Sequence, residues 1–121
     1  MSKRILIVDD EEIMLKVVSF RMKSLGYEVL TAVNGKQGLE MIKQEKPDLV
    51  ILDMRLPLMD GREVCQAVKS ADALKHIPVI LLTASSENIA QKAKECCADD
   101  YSLKPFDPAD LSAKIKKLIG E

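Results

Sequence analysis

Three short runs of consecutive apolar residues punctuate the chain: Ile5-Leu6-Ile7-Val8, Leu49-Val50-Ile51-Leu52 and Val79-Ile80-Leu81-Leu82. Each is bounded by acids or turn formers, the pattern of a strand buried on both faces, as in a parallel sheet. Two more polar segments also read as strands: Glu28-Val29-Leu30-Thr31-Ala32, which nears alternation, and Tyr101-Ser102-Leu103, which alternates. Helical spacings lie between them. Ile13, Val17 and Phe20 on one side, with Met14, Val18 and Leu25 beside them, predict a first helix facing the core and closed by Gly26. Leu39 and Ile42 mark a second, which must end before Pro47. Asp60 can cap a third that bears Val64, Ala67 and Val68. A weakly apolar fourth occupies about Glu87 to Cys97, with Ile89, Ala90 and Ala93 as its inward residues. Asp107 as cap, Pro108 at the first helical position and Asp110 in the first turn open a fifth, striped by Leu111, Ile115, Leu118 and Ile119.

Strand and helix therefore alternate five times, which predicts an α/β fold: a parallel sheet with helices on both faces and right-handed crossovers. The three continuous runs belong inside the sheet and the two polar strands at its edges. A doubly wound order 2-1-3-4-5, the flavodoxin-like (βα)5 arrangement, satisfies both, with the topological switch between the first and third strands. No repeat, linker or low-complexity segment interrupts the pattern, so residues 1–121 read as one domain.

The switch is where the chemistry gathers. Leu49-Val50-Ile51-Leu52 ends on Asp53, and Pro57 and Gly61 forbid the strand from continuing, so Asp53 belongs at its C-terminal tip. Asp9 and Asp10 end the first strand at the same edge, and Thr83 and Lys104 end the fourth and fifth. Three crowded carboxylates repel unless a cation is present. An all-oxygen set on a partly open edge suits Mg2+, which prefers to share its shell with waters and a phosphate. An ionised aspartate can attack phosphorus, while a metal and a lysine offset the charge in transfer and a threonine hydroxyl donates to its oxygens.

Composition narrows the setting. A 47% hydrophobic, 31% charged chain is ordinary for a globular domain, and a net charge of −1 offers no electrostatic case for nucleic acid or an anionic membrane. Asp9-Asp10-Glu11-Glu12 cuts the first apolar run too short for a signal sequence, and no stretch reaches transmembrane length, which points to the cytoplasm. Cys65, Cys96 and Cys97 lack metal-site spacing and read as small, partly buried thiols. His76, the one histidine, lies in a polar turn and reads as a surface residue.

The motifs Ile7-Val8-Asp9-Asp10-Glu11, Asp53-Met54-Arg55-Leu56-Pro57-Leu58-Met59-Asp60-Gly61, Leu82-Thr83-Ala84 and Asp99-Asp100-Tyr101-Ser102-Leu103-Lys104-Pro105-Phe106 follow in order. Together they resemble the receiver domain of two-component response regulators, like the stand-alone chemotaxis regulators, over nearly the whole chain. The resemblance implies that Asp53 accepts a phosphoryl group from a phosphohistidine on a sensor histidine kinase or phosphotransfer protein. It implies that Asp10, Asp53 and the backbone carbonyl of Arg55 ligate Mg2+, with Asp9 acting through water. Lys104 would pair with Asp53 and then with the phosphoryl group. Thr83 would move toward that group and Tyr101 would follow inward, so that a downstream target protein reads the face of helix four, strand five and helix five. The Lys104-Pro105 bond is expected to be cis. Such a protein catalyses its own phosphorylation and dephosphorylation and is not an enzyme acting on an independent substrate.

Departures from the family pattern are few. Cys97 stands where glycine is usual, which puts the turn into strand five in doubt, and Leu56 replaces a common methionine. Arg55 is at a position that varies in the family and is expected to tune hydrolysis. A phosphatase of the haloacid dehalogenase class would need a second aspartate where Arg55 stands, and a flavodoxin-like cofactor binder a phosphate loop where four acids follow the first strand. A degenerate receiver would lack an acid, the threonine or the lysine; all are present. The chain stops just after the last helix with no effector attached. That leaves open a stand-alone regulator, a phosphorelay intermediate and a receiver excised from a longer protein.

Overall fold

The computed structural model describes residues 2–84, 88–104 and 107–120. Five strands alternate with five helices: β1 (Arg4–Val8), α1 (Glu12–Ser24), β2 (Glu28–Ala32), α2 (Gly35–Glu45), β3 (Leu49–Asp53), α3 (Gly61–Ser70), β4 (Val79–Thr83), α4 (Ile89–Glu95), β5 (Asp100–Leu103) and α5 (Pro108–Ile119). All strand pairs are parallel, in the order β2-β1-β3-β4-β5. The predicted fold class and strand order are those observed. Every residue of β3 and β4 is buried, whereas β2 and β5 at the edges keep exposed positions.

Alternation along the inner strands builds two cores. Leu6, Val8, Val50, Leu52, Val79 and Leu81 face α2, α3 and α4, where Ile42, Val64, Val68 and Ile89 meet them. Ile5, Ile7, Leu49, Ile51, Ile80 and Leu82 face α1 and α5, meeting Val18, Met22, Leu111 and Ile115. A side chain fully buried in this way contributes about 1.5–3 kcal/mol. These central strands are therefore rigid supports for whatever their C-terminal ends carry.

Local chemistry sets the helix ends. Asn34 accepts from Gln37 N–H at 2.7 Å, and Asp60 forms a reciprocal capping box with Glu63. The tail of α4 closes with Cys97 N–H to Lys94 O (3.2 Å) and Ala98 N–H to Ala93 O (2.9 Å), the Schellman pattern. Cys97 stands at the left-handed position of that closure, φ 65°, where glycine is usual. The turn survives the departure at the expense of some backbone strain.

The structure corrects the reading of α1. Ile13 and Phe20 are 79% and 76% exposed, and Val17 is also exposed; the core face is Leu15, Val18, Ser19 and Met22. Apolar residues lie on both sides of this helix, so spacing alone fits either stripe, and the direction of entry from β1 selects one. Helix α4 is shorter than expected, and Ala90 points outward while Ile89 and Ala93 are buried. Glu87, Pro105 and Phe106, and with them the Lys104-Pro105 bond, lie outside the described residues. Cys65 and Cys96 are buried, Cys97 is exposed, and His76 lies on the surface.

Candidate functional site

The C-terminal ends of β1, β3, β4 and β5 deliver Asp9, Asp53, Thr83 and Lys104 to one edge. Asp53 is the last residue of β3, and the chain beyond it turns back sharply. Met54 N–H bonds Leu82 O of β4 (2.9 Å), and Gly61 N–H returns to Met54 O (2.9 Å). That return requires glycine, because a Cβ on Gly61 would overlap the Asp53 carbonyl and come within 2.8 Å of Met54 Cα. The carboxyl of Asp53 is fixed from both sides. Arg55 N–H donates to its Oδ1 at 3.3 Å, and Lys104 Nζ lies 3.2 Å from its Oδ2.

Lys104 holds more than Asp53. Its Nζ lies 2.8 Å from Asp9 Oδ2 and 3.3 Å from Glu11 Oε1. Asp9 is 1% exposed and its other oxygen, Oδ1, accepts from Glu11 N–H at 2.9 Å. Asp10, by contrast, is exposed at the mouth. One carboxylate oxygen from each of Asp9, Asp10 and Asp53 lies within 4.8 Å of the others. A cavity of about 430 Å³ opens over them, bordered by Asp10, Arg55, Thr83, Ala84 and Lys104. Thr83 is buried, and its carbonyl accepts from Lys104 N–H at 2.7 Å, tying β4 to the lysine's own backbone.

The electrostatics follow from this crowding. Burial raises the pKa of the Asp53 carboxyl above the ordinary carboxylate range; Lys104 works against the rise and Asp9 adds to it. Burial alone would discharge Lys104, but its hydrogen bond to Asp9 and the charges of Asp53 and Asp9 outweigh that and hold the ammonium above the ordinary lysine range. One cation thus serves two nearly buried acids, and the third acid is left facing solvent. The donor set is oxygen only, hard, open on one side and spaced closely enough for a single shell, which fits Mg2+ and its waters and does not fit a soft metal.

Tyr101 sits one strand away, half-buried on β5. In the β4–β5 register Leu81 pairs with Tyr101 and Thr83 with Leu103, so Thr83 and Tyr101 project to the same face of the sheet. Lys114 of α5 donates to the Tyr101 carbonyl at 2.6 Å and stands 5.8 Å from its ring centroid.

All seven residues expected from the sequence lie on this part of the molecule: Asp10, Asp53, Arg55, Thr83 and Lys104 line the cavity, Asp9 is buried behind Lys104, and Tyr101 stands beside them. Asp9 pairs directly with Lys104. Glu11 was not foreseen as a partner of Lys104; its place in the acidic run after β1 was the only available signal. Nothing in the sequence pointed to Lys114 beside Tyr101.

Residues 5–116 match the family described as "Response regulator receiver domain", and the chain belongs to that family. It is 38% identical over 120 residues to the alkaline phosphatase synthesis transcriptional regulatory protein PhoP of Bacillus subtilis, covering 98% of this chain and 49% of that protein. The chain spans about half the length of the curated relatives it matches. Among solved structures, it resembles the chemotaxis protein CheY4 of Vibrio cholerae, with a TM-score of 0.89, 30% identity and coverage of 98% and 99% of the two chains. It also resembles the receiver domain of sensor histidine kinase PA1611 from Pseudomonas aeruginosa PAO1, solved with a magnesium ion coordinated in the active site cleft. There the TM-score is 0.92 at 27% identity, with both chains fully covered. The chain is therefore a receiver domain of the two-component signalling family. No helix among the described residues is long and apolar enough to cross a membrane.

Proposed function

We propose that residues 1–121 act as a single phosphorylation-activated switch in which Asp53 accepts a phosphoryl group from a histidine kinase or phosphotransfer protein. The observation that carries this is the arrangement around one carboxylate. Asp53 ends a fully buried strand, is 7% exposed, faces Lys104 at 3.2 Å and shares metal-binding range with two further acids. An Asp53 oxygen attacks phosphorus, the bond from phosphorus to the donor imidazole breaks, and the imidazole leaves with that electron pair. Asp10, Asp53 and the Arg55 carbonyl would hold Mg2+, with Asp9 acting through water; Mg2+ when bound supplies positive charge against the phosphoryl oxygens. Lys104 is already poised between Asp9 and Asp53 and can turn to the new charge. The Thr83 hydroxyl would donate to it, and Arg55 at the cavity rim would tune how water reaches it. Hydrolysis of the acyl phosphate uses the same groups, so the protein works on itself and not on an independent substrate.

The output reading rests on α4, which buries only Ile89 and Ala93 over two turns and is the loosest helix of its face. Thr83 and Tyr101 share a sheet face, so a threonine drawn to the phosphoryl group changes the space open to the ring. The α4–β5–α5 surface would then present a different shape to a downstream protein in the cytoplasm. In the longer relatives, which are named as transcriptional regulators, the matching region is about half of the chain; for this chain we infer no direct nucleic-acid contact or membrane contact. Incubation with a small acyl phosphodonor and Mg2+ should add one phosphoryl group at Asp53, and EDTA should stop it. Asp53→Asn should abolish labelling and Asp10→Asn should weaken its Mg2+ dependence; labelling that persists in Asp53→Asn refutes the assignment.

A further inference from the structure

The site at the sheet edge leaves three thiols unused, and two of them have been brought together from α3 and the end of α4. Cys65, in the middle of α3, and Cys96, the residue that closes α4, are both buried, at 0% and 1% exposure. The Cys65 thiol donates to the carbonyl oxygen of Cys96 at 3.2 Å, and the Cys96 thiol donates to the Ala93 carbonyl at 3.5 Å. Cys96 also lines a cavity of about 320 Å³ with Gln66, Lys69, Ser70, Glu95 and Cys97. Cys65 does not border that cavity. The pair is asymmetric: Cys96 stands at the wall of a cavity, and Cys65 lies behind it.

We propose that Cys96 and Cys65 form a peroxide-responsive dithiol site, in which a hydroperoxide oxidises Cys96 and Cys65 then closes a disulfide joining α3 to the end of α4. The chemistry agrees with the geometry. The neighbouring Cys65 side chain, aided by the Ala98 backbone and the Arg62 guanidinium, draws the Cys96 thiol below the ordinary range against the effect of its burial. Cys65, beside the Cys96 side chain and itself buried, is pushed up. Cys96, the one of the two that borders the cavity, is therefore the nucleophile and Cys65 the resolving thiol. The Cys96 thiolate attacks one peroxide oxygen; the O–O bond breaks, and the departing hydroxide takes up the thiol proton as water, leaving a sulfenic acid. The Cys65 sulfur then gives up its proton and attacks the Cys96 sulfur. The S–S bond forms, the S–O bond breaks, and hydroxide leaves with that proton as a second water. Two thiols are oxidised to one disulfide and one hydrogen peroxide is reduced to two waters.

A disulfide needs the sulfurs at about 2 Å, which asks the end of α4 to move toward α3. Helix α4 can supply it, since it buries only Ile89 and Ala93, and the Arg62–Glu95 ion pair (3.1 Å) already draws its last turn toward α3. The link would restrain the helix assigned above to the output face, and that consequence alone rests on the proposed function. Disulfide formation itself is independent of Asp53 chemistry and is measured without phosphodonor.

The test uses the full chain carrying Cys97→Gly, a substitution suited to the left-handed backbone at 97 that removes the exposed thiol. Brief treatment with hydrogen peroxide should lower the intact mass by two hydrogens. It should also join the tryptic peptide containing Cys65 to that containing Cys96, and both changes should be reversed by dithiothreitol. Further introduction of Cys65→Ala should replace the link by a sulfenic acid on Cys96 that dimedone traps, and Cys96→Ser should leave Cys65 reduced. In the wild-type chain the same Cys65–Cys96 link should predominate. The proposal is overturned if both thiols remain fully alkylatable after peroxide, if Cys65 is the residue trapped by dimedone, or if wild-type oxidation yields only Cys96–Cys97 or Cys97-linked products.

Discussion

Removing the Lys104 ammonium tests the electrostatic design of the site most directly. In Lys104→Met the stem stays apolar and of similar length, but Asp9 and Asp53, with side chains only 2% and 9% exposed, lose the cation that lies 2.8 and 3.2 Å away. Glu11, 65% exposed, is screened by solvent and adds little. Breaking a buried ion pair by deleting one partner costs about 3–5 kcal/mol. The fold has a cheaper response available, which is to protonate one of the two carboxyls. From an unfolded aspartate pKa of about 3.9, that costs about 4 kcal/mol at pH 7 and about 1.5 kcal/mol at pH 5. The predicted loss is therefore about 3–4 kcal/mol at pH 7, falling to about 1.5 kcal/mol at pH 5. For a chain of 121 residues this is a drop in Tm of about 10–15 °C at neutral pH. Urea unfolding in EDTA at both pH values measures it, and the Asp9→Asn background supplies the control, where the same substitution should cost less than about 1.5 kcal/mol because only one buried charge remains. A loss under about 1 kcal/mol at pH 7, or one that is equal at the two pH values, would refute the picture of a single lysine holding two buried acids.

Three further outcomes follow from the same geometry. The raised pKa of Asp53 means that ionisation weakens the metal-free fold: the full contribution is present below the unfolded pKa and is lost as pH rises through the folded one. Asp53→Asn in EDTA should thus be more stable than wild type by about 1 kcal/mol at pH 7, with the gap closing toward pH 4; thermal melts that show no gap at pH 7 count against it. In α1, Leu15→Ala and Met22→Ala should each cost about 2–5 kcal/mol, while Ile13→Ala and Phe20→Ala stay within about 0.5 kcal/mol by urea unfolding. With beryllofluoride and Mg2+, amide chemical shifts in wild type should change around Asp53 and across residues 88–90 and 99–104. Thr83→Ala should keep the first set and lose most of the second; changes concentrated on α2 and α3 would mean that the output face is elsewhere.

Much of this molecule was legible in its residues because the decisive signals are local or follow from topology. Ile5 to Val8, Leu49 to Leu52 and Val79 to Leu82 are apolar on consecutive positions, and only a strand covered on both faces buries such a run. The polar second and fifth strands read as edges, which the order found satisfies, and in a parallel sheet Asp9, Asp10, Asp53, Thr83 and Lys104 share one end. The tertiary structure alone decided what depends on direction and distance. It chose Leu15, Val18 and Met22 over Ile13, Val17 and Phe20 in a helix with apolar residues on both sides, because periodicity fixes the spacing of a stripe and not its angle to the sheet. It set Lys104 nearer to Asp9 than to Asp53 and added Glu11 and Lys114, since where a long side chain ends cannot be read from where its backbone lies. And it placed Cys65 against Cys96 across 31 positions of sequence, a contact that exists only because α3 and the end of α4 pack on the same face of one sheet.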